Sequence, residues 1–246
     1  MSVGVESGGG IAEVVLDFPP VNALPAKGWF ELASAITSAG KNARVVVLRA
    51  LGRGFCAGVD IKEMQRTPGH EALLVANRGC YAAFAAVYDC EVPVIAAVQG
   101  FCLGGGVGLV GNADIVIAAE DAYFGLPEVD RGALGAATHL ARLVPPKLMR
   151  AMVYTCRDVT AQDLFRFGSV LHVVPNDALR DKALEVAHEI AAKDPLIIRR
   201  AKESLNGIEP VDVKRSYRFE QGFTFELNLA GVSDRARQSF VDGDDG

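Results

Sequence analysis

Residues 99–109 read QGFCLGGGVGL, the most glycine-dense stretch of the chain. They follow Pro93–Val98, a short apolar run typical of a strand buried within a sheet, and they lead into a helix of small residues. Consecutive glycines are unfavourable inside a helix or strand, by roughly 0.5–1 kcal/mol each relative to alanine. A glycine row at a helix start therefore predicts that something approaches the backbone closely, beside amides that lack helical acceptors.

A second turn of the same kind lies upstream, in RGFCAGVDIKEM at residues 53–64. It follows Arg44–Ala50, a β-branched run expected of a strand buried on both faces, and a helix is predicted from about Asp60. Glycines at positions 52, 54 and 58 permit sharp bends. Two strand-to-helix turns with unpaired amides predict a site for an anion or a polarised carbonyl, although either turn alone is also compatible with an ordinary tight connection.

A third segment, FGLPEVDRGALG at residues 124–135, follows the predicted strand Ala113–Ala119. It contains Glu128 directly after a proline, in a loop close to the end of that strand. A carboxylate in such a position is a candidate general base, and a solvated loop glutamate is the alternative.

Composition and charge limit the classes of function. The 246 residues are 50% hydrophobic, with a net charge of −5 and a pI of about 5.4, so a large core is expected and no basic field favours nucleic acid or an anionic membrane. The chain has five cysteines, an odd number, and no C-x-x-C pair. This pattern favours buried thiols in a reducing compartment and predicts no metal site. We detect no signal peptide and no apolar run of membrane-spanning length, and so predict a cytoplasmic protein.

The order of elements predicts an α/β fold. Strands and helices alternate through about residue 190, and only helices are predicted beyond it, at 195–206, 211–228 and near 234–241. We therefore expect a core of residues 1–190 and a helical region of residues 191–246.

A dinucleotide-binding oxidoreductase is a competing class, because Gly106-x-Gly108-x-x-Gly111 matches the nucleotide fingerprint and Glu120 closes the next strand. The first of these glycines lies eight positions beyond Val98 rather than at the strand end. The fingerprint also leaves the neighbouring glycines unexplained, so this interpretation is disfavoured.

Taken together, the three segments resemble the enoyl-CoA hydratase/isomerase, or crotonase, family over nearly the whole chain. The stretches that carry the resemblance are VNAL (21–24), FCAGVDIKEM (55–64), GGG (104–106) and FGLPE (124–128). The resemblance implies a crotonase-type ββα spiral core and a helical C-terminal trimerisation region. It also implies coenzyme A as part of the substrate, with no cofactor required.

The same resemblance implies roles for individual residues. The amides of Val59 and Gly105 would form an oxyanion hole, and Glu128 would be the catalytic base. The implied coenzyme A and substrate contacts are Val21, Ala23, Ala57, Asp60, Ile61 and Lys62.

The chain departs from the family pattern at one catalytic position. Hydratases of this family carry two glutamates, and the first of these positions falls on Gly108 here, whereas Glu128 occupies the second. A single base disfavours simple hydration and leaves isomerisation, decarboxylation or hydrolytic C–C cleavage. The absent side chain is also expected to leave volume for a bulky or cyclic acyl group.

Residues 58–67 and 220–231 resemble, more narrowly, an actinobacterial subgroup of ring-opening hydrolases that act late in cholesterol breakdown on a bicyclic dioxo-indene carboxyl-CoA. Hydrolytic ring opening is thus the function that the resemblance implies first. An isomerase or other single-glutamate enzyme, a hydratase and a non-catalytic binding protein remain alternatives.

Further residues have weaker assignments. Asp130 and His139 are possible secondary polar groups of the site, and Arg53 joins Lys62 as a candidate for coenzyme A phosphates because no basic residue follows Arg237. A homotrimer or hexamer is predicted from apolar residues of the C-terminal region, which are Phe219, Phe223, Phe225, Leu227 and Leu229.

Overall fold

The computed structural model describes residues 2–67 and 69–243. Its strands are β1 (Ser2–Gly8), β2 (Ile11–Asp17), β3 (Ala23–Leu24), β4 (Val45–Ala50), β5 (Gly58–Val59), β6 (Val94–Val98), β7 (Phe101–Leu103), β8 (Ile115–Ala119), β9 (Tyr123–Gly125), β10 (Val159–Thr160) and β11 (His172–Val174). Its α-helices are α1 (Ala26–Asn42), α2 (Ile61–Arg66), α3 (Glu71–Tyr88), α4 (Gly105–Val110), α5 (Ala137–Leu140), α6 (Pro146–Thr155), α7 (Ala161–Arg166), α8 (Leu179–Ala191), α9 (Pro195–Ile208), α10 (Val213–Leu229) and α11 (Val232–Asp242). Short 3-10 helices span Val129–Arg131 and Asn176–Ala178.

The central sheet has the strand order β1-β2-β4-β6-β8-β11. β1 pairs antiparallel with β2, and the later neighbours pair in parallel. Alternate residues of β4 reach opposite cores: Val46 and Leu48 join the core with α1 and α3, whereas Val45 and Val47 join the core under α8. The predicted burial of this strand on both faces is confirmed.

Two smaller sheets bring the glycine-rich turns together. β3 pairs in parallel with β5, and β7 pairs in parallel with β9 in the order β10-β9-β7. An isolated backbone β-bridge between the residues Cys56 and Cys102, both of which have free thiols, joins the segment before β5 to β7. The two predicted turns are thus adjacent in space although some 45 residues separate them in the sequence.

The C-terminal helices pack against the core of the same chain. Helix α10 contacts α3 and α5, and α11 contacts α2 and the 3-10 helix Val129–Arg131. The ammonium of Lys202 on α9 lies 2.6 Å from the Asp114 carboxylate, which precedes β8. In the part of the chain that the structure describes, no helix is long and apolar enough to cross a membrane.

The predicted elements agree with the structure along the main sheet and in the C-terminal helices, with ends shifted by a few residues. β1 was not anticipated, because almost all of its residues are exposed and it lacks an apolar face. Helix α6 also went unpredicted, since Met152 is its one buried residue. The division near residue 190 falls at the end of α8, which itself packs on the sheet.

Candidate active site

The turn at β5 directs one backbone amide away from its strand partner. The Asp60 amide donates to the Leu24 carbonyl oxygen at 3.0 Å. Since successive N–H groups of a strand point in opposite directions, the Val59 amide faces the other side, where Val59 lines a cavity. Gly58 precedes it with φ +91°, a conformation that side-chain-bearing residues rarely adopt.

The second turn presents the amide of Gly105, the first residue of α4. Amides of a first helical turn have no acceptor within the helix. Gly104 caps this helix with φ +55°, and its own amide donates to the Gly125 carbonyl oxygen at 3.0 Å. A Cβ built on Gly58 would lie 3.2 Å from the Gly105 nitrogen, so the two turns are in contact and both amides border one cavity.

The close approaches that the glycine row predicted are made by the protein itself. A Cβ on Gly104 would lie 2.7 Å from Oε1 of Glu128, and one on Gly105 would lie 2.6 Å from the Trp29 ring. One on Gly106 would meet the Cys56 carbonyl oxygen at 2.7 Å. The row therefore lets α4 begin amid tightly packed groups, one of which is the candidate base.

Glu128 lines this cavity and is partly exposed, but one of its carboxylate oxygens is shielded. Its Oε2 is buried and has no hydrogen-bond partner among the described residues. Burial raises the pKa of Glu128 to about 8, and the negative charge of Glu220 adds to the shift. A hydrogen bond from the backbone amide of Glu128 opposes this shift. A carboxylate with one buried, unpartnered oxygen and such a pKa is the kind of group that a general base requires.

The cavity beside Glu128 has a volume of about 140 Å³ and a mainly apolar lining. The catalytic candidates Val59, Gly105 and Glu128 all line it. Apolar or aromatic side chains from the first turn, α3 and α10 complete the walls, among them Ile61, Leu73, Cys80, Phe84 and Tyr217. Among the described residues, the charged groups in its lining are Glu128, Arg131 and Arg237.

A loop of residues 132–136 forms one wall and is held by the C-terminal helices. The hydroxyl of Thr224 accepts a hydrogen bond from the Leu134 amide at 3.0 Å and donates to the Leu134 carbonyl oxygen. The hydroxyl of Ser233 donates to the Gly132 carbonyl oxygen, and the Ala133 amide donates to the Glu128 carbonyl oxygen at 2.8 Å. Contacts from α10 and α11 thus reach the backbone of Glu128 through this loop.

The expectation of free volume beside Gly108 is wrong. A Cβ on Gly108 would overlap the ring of Phe84, with Cε2 and Cε1 at 2.5 and 2.6 Å and Cζ closer still. The Phe84 ring occupies the space that the missing side chain would need, and it also lines the cavity. The glycines of the nucleotide fingerprint serve packing in the same way, because a Cβ on Gly111 would overlap the His139 carbonyl group.

His139 does not line the active-site cavity, contrary to the possibility that it faces the acyl group. It is 2% exposed and lies behind Phe84 and Tyr217. The centroid of its ring is 4.9 Å from the ring centroid of Phe84 and also 4.9 Å from that of Tyr217. Its Nδ1 lies 3.0 Å from Nδ2 of Asn112. Burial lowers the pKa of His139 to about 3, so this imidazole is neutral.

The other secondary candidates also lie outside the cavity. Asp130 is exposed and lies beside Cys156, within the 3-10 helix that follows Glu128. Arg53 is exposed, and its guanidinium lies 5.8 Å from the centre of the Phe101 ring.

The residues implied in coenzyme A binding surround the first turn. Ala57 and Ile61 line the cavity, and Val21 and Ala23 lie on the neighbouring segment, where Ala23 pairs with Gly58. The Asp60 carboxylate is engaged as the cap of α2, because it accepts hydrogen bonds from the Lys62 and Glu63 amides at 2.9 and 3.2 Å. Lys62 itself is exposed.

Sequence reasoning missed the contribution of α10. Its buried residues include Tyr217, Gln221, Thr224 and Asn228, which recur at the spacing of one helix face. Polar side chains repeated at that spacing are the signal that could have revealed it. Phe84 and Arg131 carried no comparable signal.

A paired-amide site next to a buried carboxylate on this fold is the arrangement of an acyl-thioester enzyme with the crotonase fold. The crystal structure of an enoyl-CoA hydratase/isomerase from Xanthobacter autotrophicus superposes with a TM-score of 0.88 and 29% identity, covering 98% of this chain and 92% of that one. The chain belongs to the enoyl-CoA hydratase/isomerase family, which matches residues 6–227.

Two relatives share far more of the sequence. The chain is 67% identical to the (7aS)-7a-methyl-1,5-dioxo-2,3,5,6,7,7a-hexahydro-1H-indene-carboxyl-CoA hydrolase of Rhodococcus jostii, over 96% of this chain and 92% of the relative. It is 64% identical to the hydrolase of the same name from Mycobacterium tuberculosis, over 94% of this chain and 95% of the relative. The predicted resemblance to the family and to its indene-carboxyl-CoA hydrolases is confirmed.

Proposed function

We propose that this protein hydrolyses a ring C–C bond of a cyclic dioxo acyl-CoA and thereby opens the five-membered ring of a bicyclic indene carboxyl-CoA. The observation that carries the proposal is identity of 67% and 64% with two indene-carboxyl-CoA hydrolases along nearly their full length. The geometry supports it, because among the described residues one carboxylate, with a buried oxygen, and two adjacent amides border an apolar cavity.

In the proposed reaction, Glu128 takes a proton from a water molecule, and the water oxygen bonds to the ring ketone carbon. The adjacent ring C–C bond then breaks, so that the ketone carbon becomes a carboxylic acid, which releases its remaining proton to the solvent and ends as a carboxylate. The electron pair of that bond passes through the conjugated ring to the thioester oxygen, which the Val59 and Gly105 amides stabilise. Each such donor is worth about 3–4 kcal/mol in the transition state. Protonation of the extended enolate from Glu128 ends the cycle.

Substrate binding in this proposal requires no cofactor, since coenzyme A arrives as part of the substrate. We assign Val21, Ala23, Ala57, Asp60, Ile61 and Lys62 to the coenzyme A moiety. Arg53 and Lys62 are exposed cations near the first turn and would meet its phosphates.

We further propose that the protein is a cytoplasmic homotrimer or a hexamer of two trimers. Phe219 and Leu229 on α10 are 70% and 76% exposed, and Leu196, Ile197 and Ile208 on α9 are also largely exposed. Large apolar side chains exposed on two consecutive helices favour association with a partner. The free cysteines, among which Cys56, Cys80, Cys90 and Cys102 are buried, agree with a reducing compartment.

A product assay with a panel of thioesters tests the reaction. The panel contains the bicyclic dioxo-indene carboxyl-CoA, a linear enoyl-CoA and a malonyl-type CoA, and products are read by mass and by carboxylate titration. We expect the indene thioester to gain one water and one carboxylate. Gain of water without a new carboxylate would identify a hydratase, and an isomer of unchanged mass would identify an isomerase; either result contradicts the proposal.

A further inference from the structure

Phe84 forms a partition between the active-site cavity and a second, smaller cavity. The second cavity has a volume of about 10 Å³, close to the size of one water molecule. Phe84 and Tyr217 line both cavities. Behind the partition lie Asn112 and His139, whose Oδ1 and Nε2 atoms are buried and without hydrogen-bond partners among the described residues.

The position of the Phe84 ring is defined from several sides. The ring packs edge-on against Trp29 with centroids 5.7 Å apart, and in a tilted arrangement against Tyr217 with centroids 5.1 Å apart. Its tip reaches the backbone of α4 at Gly108, where any Cβ would overlap the ring. The same helix begins with Gly105, so Phe84 contacts the element that supplies one of the two amides.

We propose that Phe84 is the specificity-determining residue that sets the depth of the acyl pocket, and that it does so only because position 108 has no side chain. The flat ring closes the pocket at the point where the acyl group would otherwise extend toward Asn112 and His139. A smaller residue at position 84 joins the two cavities and deepens the pocket. A side chain at position 108 displaces the ring and disturbs α4. The identity of the acyl group in this inference rests on the proposed function.

The coupling between positions 84 and 108 is testable without any substrate. Gly108→Ala, Phe84→Leu and the double variant are compared with the wild type by chemical unfolding. We expect Gly108→Ala to lower the unfolding midpoint strongly in the wild type and clearly less in the Phe84→Leu background, because the smaller leucine side chain leaves room for the methyl group. Equal loss in both backgrounds would overturn the pairing.

The specificity role is tested with two thioesters, the bicyclic dioxo-indene carboxyl-CoA and a tricyclic analogue with one more fused six-membered ring. For Phe84→Leu we expect the ratio of kcat/KM, tricyclic over bicyclic, to rise about tenfold or more, the scale at which pocket size discriminates. Phe84→Met is a second variant should Phe84→Leu fold poorly. Phe18→Leu is the matched control, since Phe18 is 4% exposed in the core and lines neither cavity.

An unchanged ratio in Phe84→Leu and Phe84→Met would show that Phe84 is only a core residue and would overturn the inference. Failure of the proposed function has a different signature. In that case the wild type turns over neither thioester, while the unfolding experiment still reports whether positions 84 and 108 are coupled.

Discussion

Two requirements conflict at the carboxylate of Glu128. A general base must be ionised to accept a proton, but burial disfavours the ionised form and raises the pKa of this group to about 8. The same burial makes the ionised form a stronger base and leaves Oε2 available to a water molecule. The site thus combines reduced ionisation at neutral pH with greater basicity.

The first prediction concerns Glu128→Gln and catalysis. The amide is nearly isosteric, so folding and thioester binding should persist while turnover falls roughly 10²–10⁴-fold, the usual contribution of a general base. In the wild type, kcat/KM should rise with pH through about 8, because only the ionised form accepts the proton. That dependence should disappear in the variant. Glu31→Gln, at an exposed surface pair with Lys27, is the control. Full activity of the Glu128→Gln protein would exclude Glu128 as the base.

The second prediction concerns stability and pH. The pKa of Glu128 rises from an ordinary value of 4.5 to about 8 on folding, so between these pH values the folded state binds more protons than the unfolded state. Stability therefore falls as pH rises through this window, by about 1.4 kcal/mol per unit of pKa difference at most. Glutamine does not titrate. The difference in free energy of unfolding between Glu128→Gln and the wild type should grow in favour of the variant from pH 5 to pH 8, and a constant difference would contradict the raised pKa.

Among the elements, α10 connects the C-terminal region to the active site. The side chain of Thr224 exchanges hydrogen bonds with both backbone groups of Leu134, and the Glu220 carboxylate accepts one from the Thr138 amide at 3.1 Å. The Thr224 contacts hold residues 132–136 beside Glu128, and the Glu220 contact holds the start of α5, which follows that loop. Thr224 is a positioning residue, because it acts on the base through the loop.

The third prediction is that Thr224→Val lowers kcat about tenfold and leaves KM nearly unchanged. Valine keeps the shape but leaves the Leu134 backbone unpaired, so the free energy of unfolding should also fall by about 1–3 kcal/mol. Thr37→Val is the control, since Thr37 makes one exposed hydrogen bond within α1. Lower stability with unchanged kcat would show that Thr224 has a purely structural role.

At the scale of the whole molecule, the exposed apolar side chains of α9 and α10 lie outside the catalytic core. A surface that carries Phe219 and Leu229 at 70% and 76% exposure favours association. The core already contains every group that borders the reaction in the proposed mechanism. Assembly would therefore stabilise the helices that hold the 132–136 loop rather than supply the base.

The fourth prediction is a trimer or hexamer in sedimentation experiments at micromolar concentration. Phe219→Glu combined with Leu229→Glu should shift the protein to smaller species, because each carboxylate would be buried without a partner in the interface. Val5→Glu is the control, because Val5 is half-exposed on the edge strand β1. A monomeric wild type would contradict the proposal.

The sequence by itself determined the features that arise from local patterns. The β-branched run of β4 and the apolar run of β6 indicate strands buried on both faces, and the glycines after them indicate turns with free amides. The prediction of Glu128 as the base comes from its place after Pro127 in a loop next to a strand end, together with the family resemblance. These features depend on neighbours along the chain, so periodicity and motif spacing suffice to predict them.

Only the tertiary structure decided which groups share a space. Phe84 and Gly108 belong to different helices. Nothing in either segment of the sequence indicates that the Phe84 ring occupies the space where a side chain at position 108 would lie. His139 lies behind that ring rather than beside the substrate, and Thr224 reaches a loop 90 residues earlier in the chain. Contacts of this kind depend on how helices pack around a common core, because side-chain volume is filled by whichever residue is nearest in three dimensions.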